Sequence, residues 1–462
     1  MPPAQPHCGT FPARRSLRGE AAALARVAGP IVVAEIGWMA MGLVDTLMVG
    51  PVGPSAIAAT GTGGSIYFAF AIFGMGLMLG LDTLVSQAYG AGRLDDCRRW
   101  LRQGLWLALA SSPVVLGLVG IAWLTLPRWG LHPAILADAR PYLAVVALGT
   151  PALLLYAALR RYLLGIHLVR PIVVVLVLAN VVNATVNWIF IYGHLGMPAL
   201  GVTGAAIATT LSRVFLAGAL WWVVRGTLPA KNQAPDGPPH DRRPHLPSLR
   251  RLVVLGLPAA GQITLEVGVF AVATALAARL DPDSSASHQI ALNVASFIFM
   301  VPLGLSSAAA VRVGHAIGAG DAPRAARAGW LALATGAGFM GLVGIVMALW
   351  PTPMIRAFTS DPRVLEIGAG LLVIAAAFQL FDSTQAIATG ALRGVGDTMT
   401  PMVVNLVGHW LLGLPIGYLL CFRLGWGVAG LWVGLSVGLI VAGLVLVATW
   451  ALRTRRLVHT GV

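Results

Sequence analysis

Most of this chain is a succession of apolar runs longer than the eighteen or so residues that carry a helix across a bilayer, separated by short connections. Hydrocarbon offers no water to satisfy backbone N–H and C=O groups, so such runs must close their own hydrogen bonds as helices or pair into a closed barrel. Stretches such as IVVVLVLANVV do not alternate as barrel strands do, and the reading is helical. Twelve runs are expected to span, at residues 26–50, 60–88, 100–125, 140–163, 170–193, 200–224, 252–279, 286–315, 328–350, 364–392, 399–422 and 428–451. A chain that is 57% hydrophobic and 10% charged has too little polar surface for a soluble multidomain protein. The expected fold class is therefore all-α integral membrane.

A net charge of +14 would suit nucleic acid, but the basic residues sit almost wholly in the connections between runs, as the positive-inside rule requires. The implied partner is the lipid bilayer, with no nucleic acid. With the N-terminus in the cytoplasm, Lys and Arg favour the inner side roughly fourfold, which puts both termini inside. Arg14, Arg15 and Arg18 read as a cytoplasmic anchor, since no small-residue cleavage site follows them. Cys8, Cys97 and Cys421 lie far apart and form no CxxC pair, which points to neither a zinc site nor a disulfide framework.

The one long polar segment, TLPAKNQAPDGPPHDRRPHLPSLRR, is rich in Pro and charge and reads as a linker. The expected organisation is an N-terminal segment at 1–25, a first six-helix lobe at 26–226, a linker at 227–250, a second lobe at 251–452 and a tail at 453–462. The halves match at a nearly constant offset. Pro30 returns as Pro258, GAGR from Gly90 as GAGD from Gly318, RPIVVVL around Pro171 as TPMVVNL around Pro401, and Leu195-Gly196 as Leu424-Gly425. Repeats of six helices share one topology in the membrane, so the two lobes are expected to be related by a pseudo-two-fold axis along the membrane normal, facing a cleft that opens to either side in turn. That is transporter architecture; a receptor or membrane enzyme needs no duplicated six-helix unit.

Ionisable residues within the runs are Glu35, Asp45, Asp82, Arg213, Glu266 and Asp382, with Arg213 counted as the one intramembrane cation. Asp382 lies before Arg393 and Glu266 after Arg251 by spacings of roughly 16 and 22 Å along a helix, which puts both acids at mid-depth. A carboxylate there is a common seat for which a proton, a sodium ion and a cationic substrate compete, and that competition yields exchange. The plainer reading, that these acids only bond neighbouring helices, stays open. Asp45 near the outer end of the first run suits structure, gating or ion binding equally, and Glu35, Asp82 and Arg213 have no assigned partner. Asn183 and Asn187, spaced i, i+4, share a helix face and are expected to line the first lobe with Asp45. Trp38, Tyr67, Phe70, Phe270, Phe297 and Phe378 are candidate platforms for flat cations, and Pro30, Pro258, Pro302, Pro401 and Pro415 permit bending. GLSVG from Gly434 matches a nucleophile-elbow pattern but lies inside a span, where small residues instead allow close helix contact. No HExxH occurs, and Lys231, the only lysine, is followed by Asn. Without a P-loop no ATP is expected to bind, and energy is expected from a gradient or a partner chain. No cofactor is expected beyond H+ or Na+ as coupling ion, and nothing in the sequence speaks to the oligomeric state.

The segments GPIVVAEIGWMAMGLVDTLMVG, VSQAYGAGR, NWIFIYGHLGMPALGVTG, HQIALNVASFIFMVPLGLSSAAAVRVGHAIGAGD and FDSTQAIATGALRGVGDTMTP, in this order, resemble the multidrug and toxic compound extrusion family, closest to its NorM-type bacterial branch. The resemblance covers about residues 24 to 450 and implies a multi-pass antiporter of the bacterial cytoplasmic membrane that exports small organic cations in exchange for inward H+ or Na+. It implies that the family's carboxylates fall on Asp45, Glu266 and Asp382, its polar pair on Asn183 and Asn187, and its polar position at the start of the eighth span on Gln289. Glu266 and Asp382 would also be the metal ligands if Na+ is the coupling ion. Two positions depart from the pattern. Phe378 stands where sodium-coupled members are expected to carry a tyrosine, and Asn187 where proton-coupled members carry an acid. Lipid-linked oligosaccharide flippases of the same superfamily are the alternative; their anionic cargo calls for a cleft lined with Arg or Lys. A membrane-embedded enzyme is the third reading.

Overall fold

The computed structural model describes residues 17–227 and 243–460. The anchor reading of Arg14 and Arg15, Cys8, Lys231 and most of the linker lie outside those residues. The described residues form α1 (Leu17–Val49), α2 (Pro54–Leu77), α3 (Gly80–Gly90), α4 (Leu94–Thr125), α5 (Pro133–Leu148), α6 (Thr150–Gly165), α7 (Arg170–Tyr192) and α8 (Val202–Thr227) before the linker. After it come α9 (Leu246–Ala277), α10 (Pro282–Gly318), α11 (Ala322–Leu349), the short α12 (Pro351–Arg356), α13 (Pro362–Val395), α14 (Met399–Asn405), α15 (Leu414–Tyr418) and α16 (Gly427–Thr460). By length and composition 11 of the described helical segments suffice to cross a membrane, and 12 if the bent pair α5–α6 counts as one span.

The fourth expected span is thus a broken helix, bent by 47°. Pro151 has no N–H to return to the carbonyl four residues back, and its ring crowds that carbonyl. The carbonyl belongs to Ala147, and the Thr150 hydroxyl takes it over at 2.7 Å. The break is therefore closed by side chain rather than left as an orphan.

The span after α13 is irregular too. Residues Leu406–Gly413 and Leu419–Arg423 wind as π-helix on either side of α15, where Pro415 interrupts the ladder. This span crosses α16 backbone to backbone. A Cβ on Gly434 would fall on the main chain of Gly417, and one on Gly438 on the carbonyl of Gly408. The glycines of GLSVG therefore serve close helix contact.

The internal repeat is visible in the backbone. Gly92 and Gly320 both take φ +73°, at the ends of α3 and α10. In each turn the following N–H reaches back five residues, Arg93 to Ala88 and Asp321 to Ala316, both at 2.9 Å. Gly196 and Gly425 repeat a left-handed bend at φ +79° and +74°.

The helices separate into two units. One runs from Val33 to Ala260; the other comprises Gly261 onward together with the first part of α1 up to Val32. In α1 and in α9 the transfer falls just after an intrahelical proline, Pro30 and Pro258. The early part of α9 packs in the first unit, where Gly256 lies on the Leu77 carbonyl and Gly80 on that of Leu252. Conversely, Val32 of α1 packs against Gly304 of α10 in the second unit. The core of that unit gathers Phe378, Trp432, Leu371, Leu372, Leu431 and Leu439. Its helices α10, α11 and α13 start on Asp281, Asp321 and Asp361, whose carboxylates accept from the first-turn N–H groups of Ser284, Arg324 and Arg363.

Candidate functional site

In the first unit Asp45 is the centre of a set of neutral donors. Asn183 and Asn187 both donate to Oδ1, at 2.9 and 2.6 Å, and the Thr209 hydroxyl donates to Oδ2 at 2.9 Å. The second hydrogen of the Asn187 amide goes to Asn183 Oδ1 at 3.2 Å, leaving Asn187 Oδ1 buried without a donor among the described residues. The i, i+4 spacing on α7 brings the two amides together as the sequence reading expects. Thr209, on α8, is added by the structure: nothing in its own neighbourhood marks it, because its role comes from the packing of α7 against α8.

Arg213 lies one turn after Thr209. Its guanidinium covers the Tyr67 ring at 4.4 Å and donates to the Val146 carbonyl at 3.1 Å. Tyr67 is buried, and its hydroxyl bonds Thr150 at 3.1 Å. The face of Tyr67 expected to receive a ligand is thus taken by a side chain of the protein.

Glu35 and Asp82 have partners that the sequence reading did not assign. Arg160 on α6 donates to Glu35, and Arg161 donates to Asp82 at 3.3 Å. The count of Arg213 as the one intramembrane cation is corrected accordingly: Arg160 is buried within α6. The two arginines adjoin in sequence but are 125 and 79 residues from their acids, a separation that only tertiary packing bridges. Trp38, on α1, stacks on Tyr156 with ring centres 5.7 Å apart and planes at 6°, so one of its faces is covered.

In the second unit Gln262, one turn before Glu266 on α9, donates to its Oε2 at 2.6 Å, and the Gln385 amide of α13 is within hydrogen-bonding reach of the same carboxylate. Asp382 lies one turn before Gln385 on the same helix, α13. No basic side chain pairs with Glu266 or Asp382 among the described residues. Gln385 also donates to Asn405 Oδ1 at 3.0 Å, which ties α13 to the irregular span.

Gln289 is exposed and bonds Asn293 at 3.4 Å. The buried polar residue at that level of α10 is instead its neighbour His288, which accepts from Trp432 Nε1 at 3.0 Å and bonds the Thr274 hydroxyl at 2.9 Å. Phe378 is 2% exposed and packs on Trp432 at 5.7 Å, as core. Phe270 packs against Val269, Ala273 and Leu435, Phe70 is half-buried, and Phe297 is exposed.

The MatE family model matches this chain twice, over residues 30–189 and 258–419, once in each half. The probable multidrug resistance protein NorM of Mesorhizobium japonicum is 38% identical over 445 residues, 95% of each chain. The multidrug resistance protein PmpM of Pseudomonas aeruginosa is 36% identical, covering 96% of this chain and 94% of its own length. Among solved structures the eukaryotic MATE transporter AtDTX14 superposes with a TM-score of 0.85 at 21% identity, over 96% of this chain and 100% of that one. A repeated helical unit and a family model matched once in each half have one common source: this chain belongs to the multidrug and toxic compound extrusion family and is a membrane transporter, not an enzyme.

Proposed function

We propose that this transporter exports small organic cations from the cytoplasm in exchange for H+ or Na+ entering down its gradient. The observation that carries the reading is the contrast among its intramembrane acids. Glu35 and Asp82 have arginine partners, whereas Glu266 and Asp382 have none among the described residues. A charge at mid-membrane is costly, so an uncompensated pair of acids is a standing demand for a cation. Whichever ion or organic cation meets that demand displaces the others, and exposing the acids to the two sides in turn makes the displacement directional. Asp45, held by three neutral donors, serves as a second anionic seat in the first unit. An anionic pyrophosphate lipid would need unpaired basic groups, and Arg160 and Arg161 are already occupied by acids. Multidrug resistance is what the names of the NorM and PmpM relatives state of those proteins.

The test is reconstitution into liposomes with imposed pH or sodium gradients and ethidium as the exported probe. Asp382→Asn and Glu266→Gln are each expected to abolish gradient-driven export while still inserting. Unchanged export by both variants overturns the assignment, and the gradient that drives the wild type identifies the ion.

A further inference from the structure

Arg160 and Arg161 meet acids, whereas the charge of Arg213 is met by a ring face and a carbonyl, with no carboxylate at ion-pair distance among the described residues. Its side chain lies in a cradle at the break between α5 and α6. Cδ passes 3.2 Å from where a Cβ on Gly149 would stand, Nη1 donates to the Val146 carbonyl at 3.1 Å, and the guanidinium covers the Tyr67 ring at 4.4 Å. The ring is fixed at the same break, because its hydroxyl bonds Thr150 at 3.1 Å. All of these residues belong to the first unit.

The cradle is a seat for a flat cation. The face of an aromatic ring attracts positive charge, and the carbonyl beside it adds one directed acceptor. Tyr67 is 1% exposed while Arg213 is half-buried, so a ligand entering this part of the unit meets the guanidinium before the ring. An acid stands within reach of the same side chain. Arg213 comes one turn after Thr209, whose hydroxyl donates to Asp45 Oδ2 at 2.9 Å. Residues four apart stand about 5–6 Å from each other on a helix face, less than the length of an arginine side chain. The remaining charged groups on the helices around α8 are engaged or distant. Arg160 and Arg161 hold Glu35 and Asp82, Arg140 stands over Trp123 at 4.1 Å, and α2 carries no charge. Asp138, eight residues before Val146 on α5, and Arg170 and Arg225 near helix ends lie about 12 Å or more away along their helices.

We propose that Arg213 is a built-in cation that couples the two kinds of cargo in the first unit: a flat organic cation takes its place on the Tyr67 ring, and the guanidinium so released swings to Asp45 and expels the ion bound there. The inference rests on the exchange reading above and deepens it, since it names the seat of the organic cation and the group that carries the competition from that seat to the acid. Charge balances one for one. The ring exchanges a guanidinium for the organic cation, and Asp45 exchanges H+ or Na+ for the guanidinium. An arginine does not give up its own proton, so the charge that moves is fixed whichever ion is driven.

The test compares Arg213→Gln, Arg213→Lys and Tyr67→Leu with wild type, in full-length protein. Ethidium binding is read by fluorescence in detergent, and ethidium export from liposomes under imposed pH or sodium gradients. Arg213→Gln is expected to bind ethidium about tenfold more tightly, its competitor being gone, and to lose gradient-driven export. Arg213→Lys keeps a mobile charge and is expected to recover that export. Tyr67→Leu is expected to bind ethidium about tenfold more weakly. A purely structural role would weaken binding and export together in both Arg213 variants, and that result overturns the proposal, as does Arg213→Gln that binds and exports like wild type. If Arg213→Gln does not fold, the other two variants decide: export lost in Arg213→Lys, or an unaltered affinity in Tyr67→Leu, overturns it. Wild type that exports under neither gradient defeats the exchange reading itself; wild type that exports, beside Arg213→Gln that exports equally, defeats only the role of Arg213.

Discussion

Removing Glu35 alone should cost more than removing Glu35 and Arg160 together. Both side chains are buried, and Arg160 Nε has no acceptor even in the intact pair. Glu35→Gln would leave a guanidinium uncompensated, at a cost of about 3–5 kcal/mol. Glu35→Gln with Arg160→Met would leave no charge behind, and thermal unfolding in detergent should rank the double variant above the single one. Asp281 gives a prediction outside the membrane. By accepting from the backbone N–H and then the hydroxyl of Ser284, its carboxyl is held below the ordinary carboxylate range. Its folded value lies below its unfolded one, so its contribution is complete above the unfolded value and is lost as pH falls through the folded one. Asp281→Asn should remove that acid-side slope, read from unfolding midpoints between roughly pH 2 and 5. What was legible at this scale followed helical spacing. Asn183 and Asn187 announce a shared face, whereas Thr209, Arg160 and Arg161 join their acids only through helix packing.

At the scale of elements, the irregular span and α16 make their closest approach at glycines. The atoms facing Gly434 and Gly438 belong to main chain, which cannot rotate away as a side chain would. Gly434→Val should therefore cost about 1–3 kcal/mol or more by overpacking, and the yield of monodisperse protein should fall sharply. Gly341→Ala, with nothing within 4 Å of the new methyl, is the matched control. The apolar runs were readable because bilayer thickness sets their length. The break between α5 and α6 had its signal in Gly149-Thr150-Pro151, yet a hydropathy window averages across it. The π segments had only Pro415 to suggest them, since a change of register alters neither composition nor length.

At the scale of the molecule, duplication was the most legible property, because paired glycines and prolines mark backbone conformations that both copies must adopt. The division into units was harder to read. The linker marks where the sequence repeats, but the units change over within helices, after Pro30 and after Pro258. A helix is continuous in covalent bonds and in hydrogen bonds, so neither its sequence nor its local pattern shows which neighbours each half has chosen. The consequence is that the two halves of the gene product are laced together rather than strung in series. A polypeptide ending at the linker would lack the α9 segment that rests on α2 and α3, and one beginning there would lack the α1 segment that rests on Gly304. Duplication here made one inseparable protein, not two proteins sharing a tether.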